Sequence, residues 1–366
     1  MTVTVCLAAN TLYFPAGGGH LWAYLNWALG LETLGCRVIW LETVNPSAPP
    51  TETLSHAACL QHRLDRLLTA DLALDTPTQG YLGVDDAKEA DLLLTLNYRI
   101  RPGIVRDFRR SALVDIDPGL TQIWMSEGQI DVARHDVYFT IGETVGTPHA
   151  TFPDCGLEWH YTPPPISLPA WPEVVVDAAA PYTTVSSWWG QWVLFRNEAY
   201  PNDKRSGFRE FLDLPARTDR RLELALALGE GVQDESRSLE QLGWTVRDAL
   251  EVARTPESYR AYIQGSRGEF SCAKPSCTRL ANAWISDRTL CYLASGKPAI
   301  VQHTGRSRFL PDSEGLFRFR TVHDAARALD AAECDYAHHA RAARALAEEY
   351  FDARTVLARV LERALG

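Results

Sequence analysis

The sequence lacks any apolar stretch long enough to cross a membrane. No run of about 18 or more apolar residues occurs, so no transmembrane segment is predicted. The first residues, Met1–Ala9, have no basic region of the kind that begins a signal peptide, and their β-branched and apolar side chains are typical of a strand. We therefore expect a cytoplasmic protein.

The sequence also lacks an excess of positive charge. Lys and Arg number 36 against 46 Asp and Glu, which gives a formal net charge of -10. Proteins that bind nucleic acid by neutralising phosphates need the opposite balance, so we expect no nucleic-acid partner. A small basic cleft inside an acidic exterior is still compatible with this total.

Closely spaced cysteines are almost absent. Of eight cysteines, only Cys272 and Cys277 lie near each other, and no second pair or histidine accompanies them at a metal-binding spacing. A disulfide framework is not expected in a chain of this size. The sequence therefore predicts neither disulfides nor a metal site.

What the sequence does contain is an alternation of short apolar strands and helices that is interrupted once. The length of 366 residues indicates about two domains. Segment 161–172 contains five prolines and is interpreted as the connector between them. We predict domains at residues 1–165 and 173–345, each with a parallel sheet covered by helices on both faces.

The apolar periodicity places the individual elements. In the first domain the predicted strands are Thr2–Ala9, Arg37–Leu41, Asp91–Leu96, Ala112–Asp115 and Val137–Thr140, and the main helices are His20–Leu34 and Leu54–Leu68. In the second domain the predicted strands are Tyr182–Ser187, Leu222–Leu228, Glu269–Cys272 and Pro298–Gln302, and the helices include Pro256–Gln264, Trp284–Ala294 and two helices from about His323.

Ligands of open α/β sheets bind beyond the carboxyl ends of the strands, at the point where the strand order reverses. The loop that ends in Gly17, Gly18, Gly19 and His20 follows the first strand. Glycines let a ligand approach the backbone there, and the start of the next helix attracts negative charge. An ordinary tight turn explains the glycines equally well, and a single histidine is often structural.

A second stretch, Asp115-Ile-Asp117-Pro-Gly, ends a strand of the same domain. One of its aspartates is predicted to orient His20 across the cleft, as the carboxylate of a catalytic triad orients its histidine. The alternative is that Asp117 begins a turn and caps the following helix. Chelation of a divalent cation by this pair is disfavoured, because such an ion usually takes more carboxylates.

Two further stretches in the second domain carry positive charge. Lys204 and Arg205 precede a helix and are either phosphate ligands or solvated surface charge. Further along, Ser286 and Asp287 cap a helix whose first turn contains Arg288, a guanidinium suited to bidentate phosphate binding. Lys274 lies upstream of this helix.

The segment from Trp284 to Thr304 resembles the nucleotide-sugar-binding segment of GT-B glycosyltransferases. The helix ends in Ala-Ser-Gly-Lys-Pro, and an apolar strand followed by Thr304-Gly305 comes next. This resemblance implies an α/β fold of two Rossmann-like doubly wound domains that face a cleft. It also implies that residues 346–366 form a C-terminal helix that crosses back to the N-terminal domain.

The resemblance is specific only over this one segment. Within the segment, the sequence departs from the family at two positions. Retaining members often carry Glu-x7-Glu here, and those two positions are Ala283 and Cys291 in this chain. The pattern Ser286-x-Arg288 instead resembles a divergent bacterial branch related to spore-maturation-type glycosyltransferases. Inverting members commonly use a histidine base oriented by an aspartate, which His20 and Asp117 match by position.

The resemblance implies transfer of a sugar from a nucleotide-diphosphate sugar, with UDP as the expected nucleotide, to a small-molecule or other acceptor, without a metal or other cofactor. His20 is the expected base and Asp117 its orienting partner. The implied donor site contains the following residues: Lys204, Lys274, Ser286, Asp287, Arg288, Thr304 and Gly305. The alternatives are a nucleotide-sugar epimerase or hydrolase on the same scaffold, and a nucleotide-sugar-binding relative without catalysis.

Overall fold

Two parallel sheets organise the chain in the computed structural model, which describes residues 2–14, 18–229, 233–312 and 314–366. Unit 1 comprises Met1–Pro148, Phe152–Ser167 and Asp352–Gly366, and unit 2 comprises His149–Thr151 and Leu168–Phe351. No helix among these described residues is long and apolar enough to cross a membrane.

Unit 1 contains a seven-stranded parallel sheet. Its strands are β1 Thr4–Ala9, β2 Arg37–Glu42, β3 Ala70–Leu74, β4 Leu92–Thr95, β5 Ser111–Asp115, β6 Val137–Thr140 and β7 Trp159–Tyr161. The connecting helices are α1 Gly18–Thr33, α2 Pro50–Leu67, α3 Val84–Ala87, α4 Pro102–Asp107 and α5 Leu120–Ser126. The central strands are buried along nearly their whole length, as expected where helices cover both faces.

Unit 2 contains a six-stranded parallel sheet and a separate antiparallel hairpin. Its strands are β8 Tyr182–Ser187, β9 Trp192–Phe195, β10 Glu198–Pro201, β11 Leu222–Ala227, β12 Thr245–Asp248, β13 Gly268–Ser271, β14 Ala299–Gln302 and β15 Leu316–Phe319, and β9 and β10 form the hairpin. Its helices are α6 Lys204–Phe208, α7 Gln233–Gln241, α8 Ala249–Val252, α9 Pro256–Gln264, α10 Pro275–Leu280, α11 Asp287–Ala294, α12 Val322–Cys334 and α13 Tyr336–Tyr350.

The two sheets share one strand order. Unit 1 runs β3-β2-β1-β4-β5-β6-β7, and unit 2 runs β12-β11-β8-β13-β14-β15. Counted within each sheet, the first six strands lie in the order 3-2-1-4-5-6, which is that of a Rossmann fold. The order therefore reverses between β1 and β4 in unit 1 and between β8 and β13 in unit 2. The predicted α/β class is confirmed.

An aromatic cluster fills the core on one face of the unit 2 sheet. Phe270 of β13 stacks on Phe319 of β15 with ring centroids 5.2 Å apart, and Phe208 of α6 packs edge-on against Phe270. Because side chains alternate along a strand, Glu269 and Ser271 point to the opposite face from Phe270. Strand β13 thus directs Phe270 into the aromatic core and presents Glu269 and Ser271 on the opposite face of the sheet.

Several elements differ from their predicted form. Strands β3, β7, β12 and β15 and the hairpin are absent from the prediction. β12 is an edge strand with mostly exposed side chains, so it has no buried apolar run to reveal it. Helix α1 begins at Gly18 and not at His20, which places Gly18 and Gly19 in its first turn.

The C-terminal region contains three helices after β15 where two were predicted. Helix α13 ends at Tyr350, and α14 Ala353–Leu365 begins after Asp352, whose side chain accepts a hydrogen bond from Arg354 N. α14 belongs to unit 1 and packs closely on α1, since a Cβ on Gly30 would lie 2.9 Å from Ala353 Cβ. The segment that returns to unit 1 therefore starts at Asp352, six residues after the expected position.

Candidate functional site

A polar pocket lies at the carboxyl edge of the unit 2 sheet, beside the point where its strand order reverses. Three stretches line it, namely the end of β13, the loop that enters α11, and the end of β14. Lys204 from the start of α6 and Arg318 from β15 complete the lining. This is the place where open α/β sheets bind their ligands.

Arg288 is fixed by three hydrogen bonds from its guanidinium. Nε donates to Glu269 Oε1 over 2.8 Å and Nη2 to Ser271 Oγ over 2.6 Å. Nη1 donates to Val185 O over 3.1 Å. Burial opposes the charge of Arg288, but the charges of Glu269 and of the neighbouring Tyr259 and Tyr292 together raise the pKa of Arg288 above its usual value. Arg288 is therefore a fixed cation at the pocket.

Lys204 is the second cation of the pocket and is only 6% exposed. Its Nζ lies 3.3 Å from Ser271 Oγ and donates to Cys272 O. Helix α6 reaches this position because Gly207 has no side chain, since a Cβ there would overlap Ala273 O. Burial lowers the pKa of Lys204 to about 7.

One hydroxyl joins the two cations. Ser271 Oγ lies within hydrogen-bond distance of both Arg288 Nη2 and Lys204 Nζ. Glu269 is fully buried, and its Oε2 has no hydrogen-bond partner within the described chain. With Lys204 protonated, Lys204 and Arg288 stand against Glu269. Arg318, the third cation of the lining, pairs with Asp312 over 2.5 Å. The pocket therefore has a net positive charge and donors suited to an oxyanion.

The loop before α11 is held in an unusual backbone conformation. Ala281 and Ala283 have φ of 49° and 57°, in the left-handed region. Gly305 has φ of 129°, and a Cβ on it would lie 2.6 Å from Ala281 O. Thr304 Oγ1 donates to Trp284 O over 2.6 Å. The end of β14 and this loop thus define each other's position.

The structure brings together four of the seven predicted donor residues. Those that line the pocket are Lys204, Ser286, Arg288 and Thr304. Lys274 is the N-cap of α10 and Asp287 is the first residue of α11, and neither is among the described residues of the lining. Gly305 lines a neighbouring cavity together with Arg306 and Arg320.

The two positions that depart from Glu-x7-Glu have different surroundings. Ala283 lines the pocket, whereas Cys291 is buried in α11 and its Sγ donates to Asp287 O over 3.3 Å. Ser286 is the N-cap of this helix, as predicted, and its Oγ accepts from Arg288 N over 3.3 Å. The N-terminus of α11 therefore adds backbone donors beside the Arg288 guanidinium.

In unit 1, His20 lies on the first turn of α1. Its Nε2 donates to Asn10 O over 2.7 Å, so the neutral ring carries its proton on Nε2 and its lone pair on Nδ1. The rings of Phe14 and Tyr24 lie 4.6 and 5.3 Å from the imidazole. The predicted bond to Asp117 stays a prediction, and Gly17 lies outside the described residues.

Asp115 and Asp117 differ sharply in their surroundings. Asp115 is buried, which raises its pKa, and its carboxylate accepts from Thr140 Oγ1, Gln122 Nε2 and Asp117 N. Asp115 thus fixes the turn that carries Asp117, which is half-buried. Gly119, with φ of 85°, is the N-cap residue of α5, and Asp117 O in the turn before it accepts from Leu120 N and Thr121 N.

Sequence reasoning missed the carboxylate that fixes Arg288. Glu269 stands inside a segment that is interpreted as a buried strand, and a charged residue in such a strand needs a partner of opposite charge. That signal was available in Gly268-Glu269-Phe270-Ser271. The partner could not be identified from sequence, because Arg288 follows 19 residues later on a separate element.

Comparisons with known proteins give a fold but no sequence relatives. No protein-family model and no curated protein sequence matches the chain. Among solved structures, Anabaena HepE in complex with UDP and glucose is 13% identical, with 99% of each chain covered and a TM-score of 0.56.

Two other solved structures are similar to the same extent. AviGT4, a glycosyltransferase involved in avilamycin A biosynthesis, is 14% identical over 99% of this chain and 97% of its own, with a TM-score of 0.56. A glycosyltransferase from Rickettsia africae ESF-5 is 11% identical over 99% and 98%, with a TM-score of 0.54. The likeness identifies the fold of this chain as GT-B, with its two α/β units.

Proposed function

We propose that this chain is a glycosyltransferase that binds a nucleotide-diphosphate sugar in unit 2. The observation that carries the proposal is the convergence of Lys204 and Arg288 on Ser271 Oγ at the carboxyl end of β13. Two cations that meet at one point fit a diphosphate, which carries its charge on adjacent groups. The GT-B fold supports the proposal, since HepE, which shares it, is described with UDP and glucose.

The two cations have a direct part in the proposed reaction. When the bond between the sugar and the diphosphate breaks, negative charge develops on the diphosphate oxygen. Lys204 and Arg288 are placed to stabilise that charge, and they are fixed before the reaction starts. We propose that no metal is needed for this step, because two fixed cations can supply the positive charge that a metal ion would supply.

His20 is the proposed base. Its Nε2–H donates to Asn10 O, and in this tautomer Nδ1 is the nitrogen that can take the proton of an acceptor hydroxyl as the sugar is transferred. Asp117 follows β5 at the carboxyl edge of the same sheet, and we propose that its charge favours the protonated ring after proton transfer. The acceptor is proposed to bind in unit 1.

Calorimetry with UDP, GDP, ADP and dTDP tests the donor site. Lys204→Met and Arg288→Lys should each weaken binding of the preferred nucleotide by about tenfold or more, because each removes a charge or a fixed donor. Arg279→Lys is the matched control, since Arg279 pairs with Glu198 outside the pocket lining. Wild-type affinity in both pocket variants would overturn the proposed donor site.

Product analysis then separates the classes of enzyme. A transferase releases its nucleotide diphosphate faster when an acceptor is present, whereas an epimerase or a hydrolase turns over the donor without one. Tight nucleotide binding with no turnover across a broad panel of acceptors would instead indicate a binding protein without catalysis.

A further inference from the structure

One peptide group in unit 1 is hydrogen-bonded on both of its sides. Its carbonyl, Asn10 O, accepts from His20 Nε2 over 2.7 Å. Its N–H, on Thr11, lies 3.0 and 2.9 Å from the two carboxylate oxygens of Glu42. Because this C=O and this N–H belong to the same planar amide, a single rigid group joins Glu42 to His20.

Glu42 ends β2 and is 1% exposed. Its carboxylate also accepts from Thr11 Oγ1, from Leu12 N over 3.2 Å and from Trp40 Nε1 over 2.8 Å. Three of the four donor groups around Glu42, namely Thr11 N, Leu12 N and Trp40 Nε1, are N–H groups that can only donate, so the carboxyl group acts mainly as an acceptor. Burial raises the pKa of Glu42, and these hydrogen bonds act in the opposite direction.

We propose that Glu42 is a positioning residue for His20 and acts through the Asn10–Thr11 peptide. A carboxylate that draws on the N–H of an amide polarises it and makes its carbonyl a stronger acceptor. The stronger carbonyl holds the proton on Nε2 and favours the protonated ring after proton transfer. A peptide thus performs the task that a carboxylate performs directly in a triad.

The Asn10–Thr11 peptide is one of several groups that surround the His20 ring. Within α1 the ring faces the phenol of Tyr24, and Phe14 contacts it from the loop after β1. From β2 the charge of Glu42 reaches it through the peptide, and Asp117 of the turn after β5 is the further group proposed above. The coupling of Glu42 to His20 does not depend on the proposed function. Only its expected effect on activity rests on the proposed role of His20 as the base.

The coupling can be measured in the wild-type protein by NMR. With selective 15N labelling of threonine, leucine and histidine, we expect the Thr11 amide resonance to move with pH in step with the His20 ring. The Leu12 amide is an internal control, because it donates to the same carboxylate but belongs to the next peptide. A Thr11 amide that does not follow the His20 titration would overturn the proposal.

Variants give the second test. In Glu42→Gln the His20 titration should shift to lower pH, because a negative charge that favours the protonated ring has gone. Glu42→Asp keeps the charge, so its His20 titration should lie close to that of the wild type. Trp40→Phe removes a different donor from the carboxylate and should leave the titration in place, although it costs stability. An unchanged titration in a folded Glu42→Gln would contradict the inference.

Activity separates this inference from the proposed function. If His20 is the base, Glu42→Gln should lower kcat about tenfold with little change in the KM of the donor, and the acidic limb of the pH profile should move to lower pH. If His20→Ala keeps full transfer activity, the proposed base is wrong. The NMR result would still decide the Glu42 to His20 coupling by itself.

Discussion

The guanidinium of Arg288 donates to the fully buried carboxylate of Glu269 over 2.8 Å, so the fixed cation of the pocket is partly neutralised before any ligand arrives. This pair has two opposed effects. The carboxylate compensates a buried charge and so stabilises unit 2, but it also reduces the attraction of the pocket for an anion. A single substitution should therefore change stability and affinity in opposite directions.

We predict that Glu269→Gln is less stable and binds a nucleotide diphosphate more tightly. Removal of one member of a buried ion pair costs about 3 kcal/mol or more, while the net charge of the pocket rises by one. Thermal unfolding and calorimetry on the same preparation measure both effects.

Glu333→Gln is the matched control for this prediction. Glu333 forms a largely buried pair with Arg267 over 2.8 Å, also in unit 2 but outside the pocket lining. It should lose stability and keep its nucleotide affinity. Weaker binding by a folded Glu269→Gln would show that the carboxylate supports the ligand site by its geometry and not by its charge.

We predict that affinity for a nucleotide-diphosphate sugar falls as pH rises through about 7. The pKa of Lys204 is lowered to about 7 by burial, so the lysine is charged below that pH and largely neutral above it. At pH 8 binding should therefore take up a proton, because the bound diphosphate favours charged Lys204. Calorimetry in buffers of different ionisation enthalpy measures this uptake.

Lys204→Met should abolish the proton uptake together with the pH dependence. The sugar nucleotide is the ligand of choice here, because it has no phosphate group that titrates near neutrality. Equal proton uptake in the wild type and in Lys204→Met would assign the linkage to another group.

We predict that Gly305→Ala destabilises unit 2 by about 2 kcal/mol or more. An alanine at φ of 129° is strained, and its Cβ would lie 2.6 Å from the backbone oxygen of Ala281. The loop that enters α11 must shift, so nucleotide affinity should fall as well. Chemical denaturation and calorimetry check the two parts.

Gly103→Ala serves as the comparison, because a Cβ added there would meet no side chain or distant backbone within 4 Å and the residue stands inside α4. Alanine favours helix there, so stability should rise slightly. Equal stability of the Gly305 and Gly103 variants would show that the loop accommodates a methyl group without cost.

We predict that Gly30→Ala loosens the packing of α14 on α1. The new methyl group would lie 2.9 Å from Ala353 Cβ and 3.2 Å from Leu357 Cδ2, and such overpacking costs about 1–3 kcal/mol. Limited proteolysis should then release residues 352–366 more readily. Thr33→Ala, on the exposed side of the same helix, should be cleaved at the wild-type rate.

The sequence predicts those features that depend on local pattern. The buried strands β1, β6 and β8 and the helix that Ser286 caps follow from apolar runs and capping residues that lie next to each other in the chain. The pairing of Arg288 with Glu269 and that of Thr11 with Glu42 do not follow from local pattern, because each joins residues that only the folded sheet brings together. The short edge strand β12 was missed for another reason, since its sequence has almost no apolar residues.

The ribosome synthesises unit 1 in two parts, one before and one after most of unit 2. The sheet of unit 1 is complete at Tyr161, but α14, which covers Gly30 of α1, follows all of unit 2 along the chain. A ribosome must therefore add almost 200 further residues before that face of α1 is covered. We expect a nascent chain that stops at Phe351 to expose an apolar surface to chaperones, although its second unit is complete.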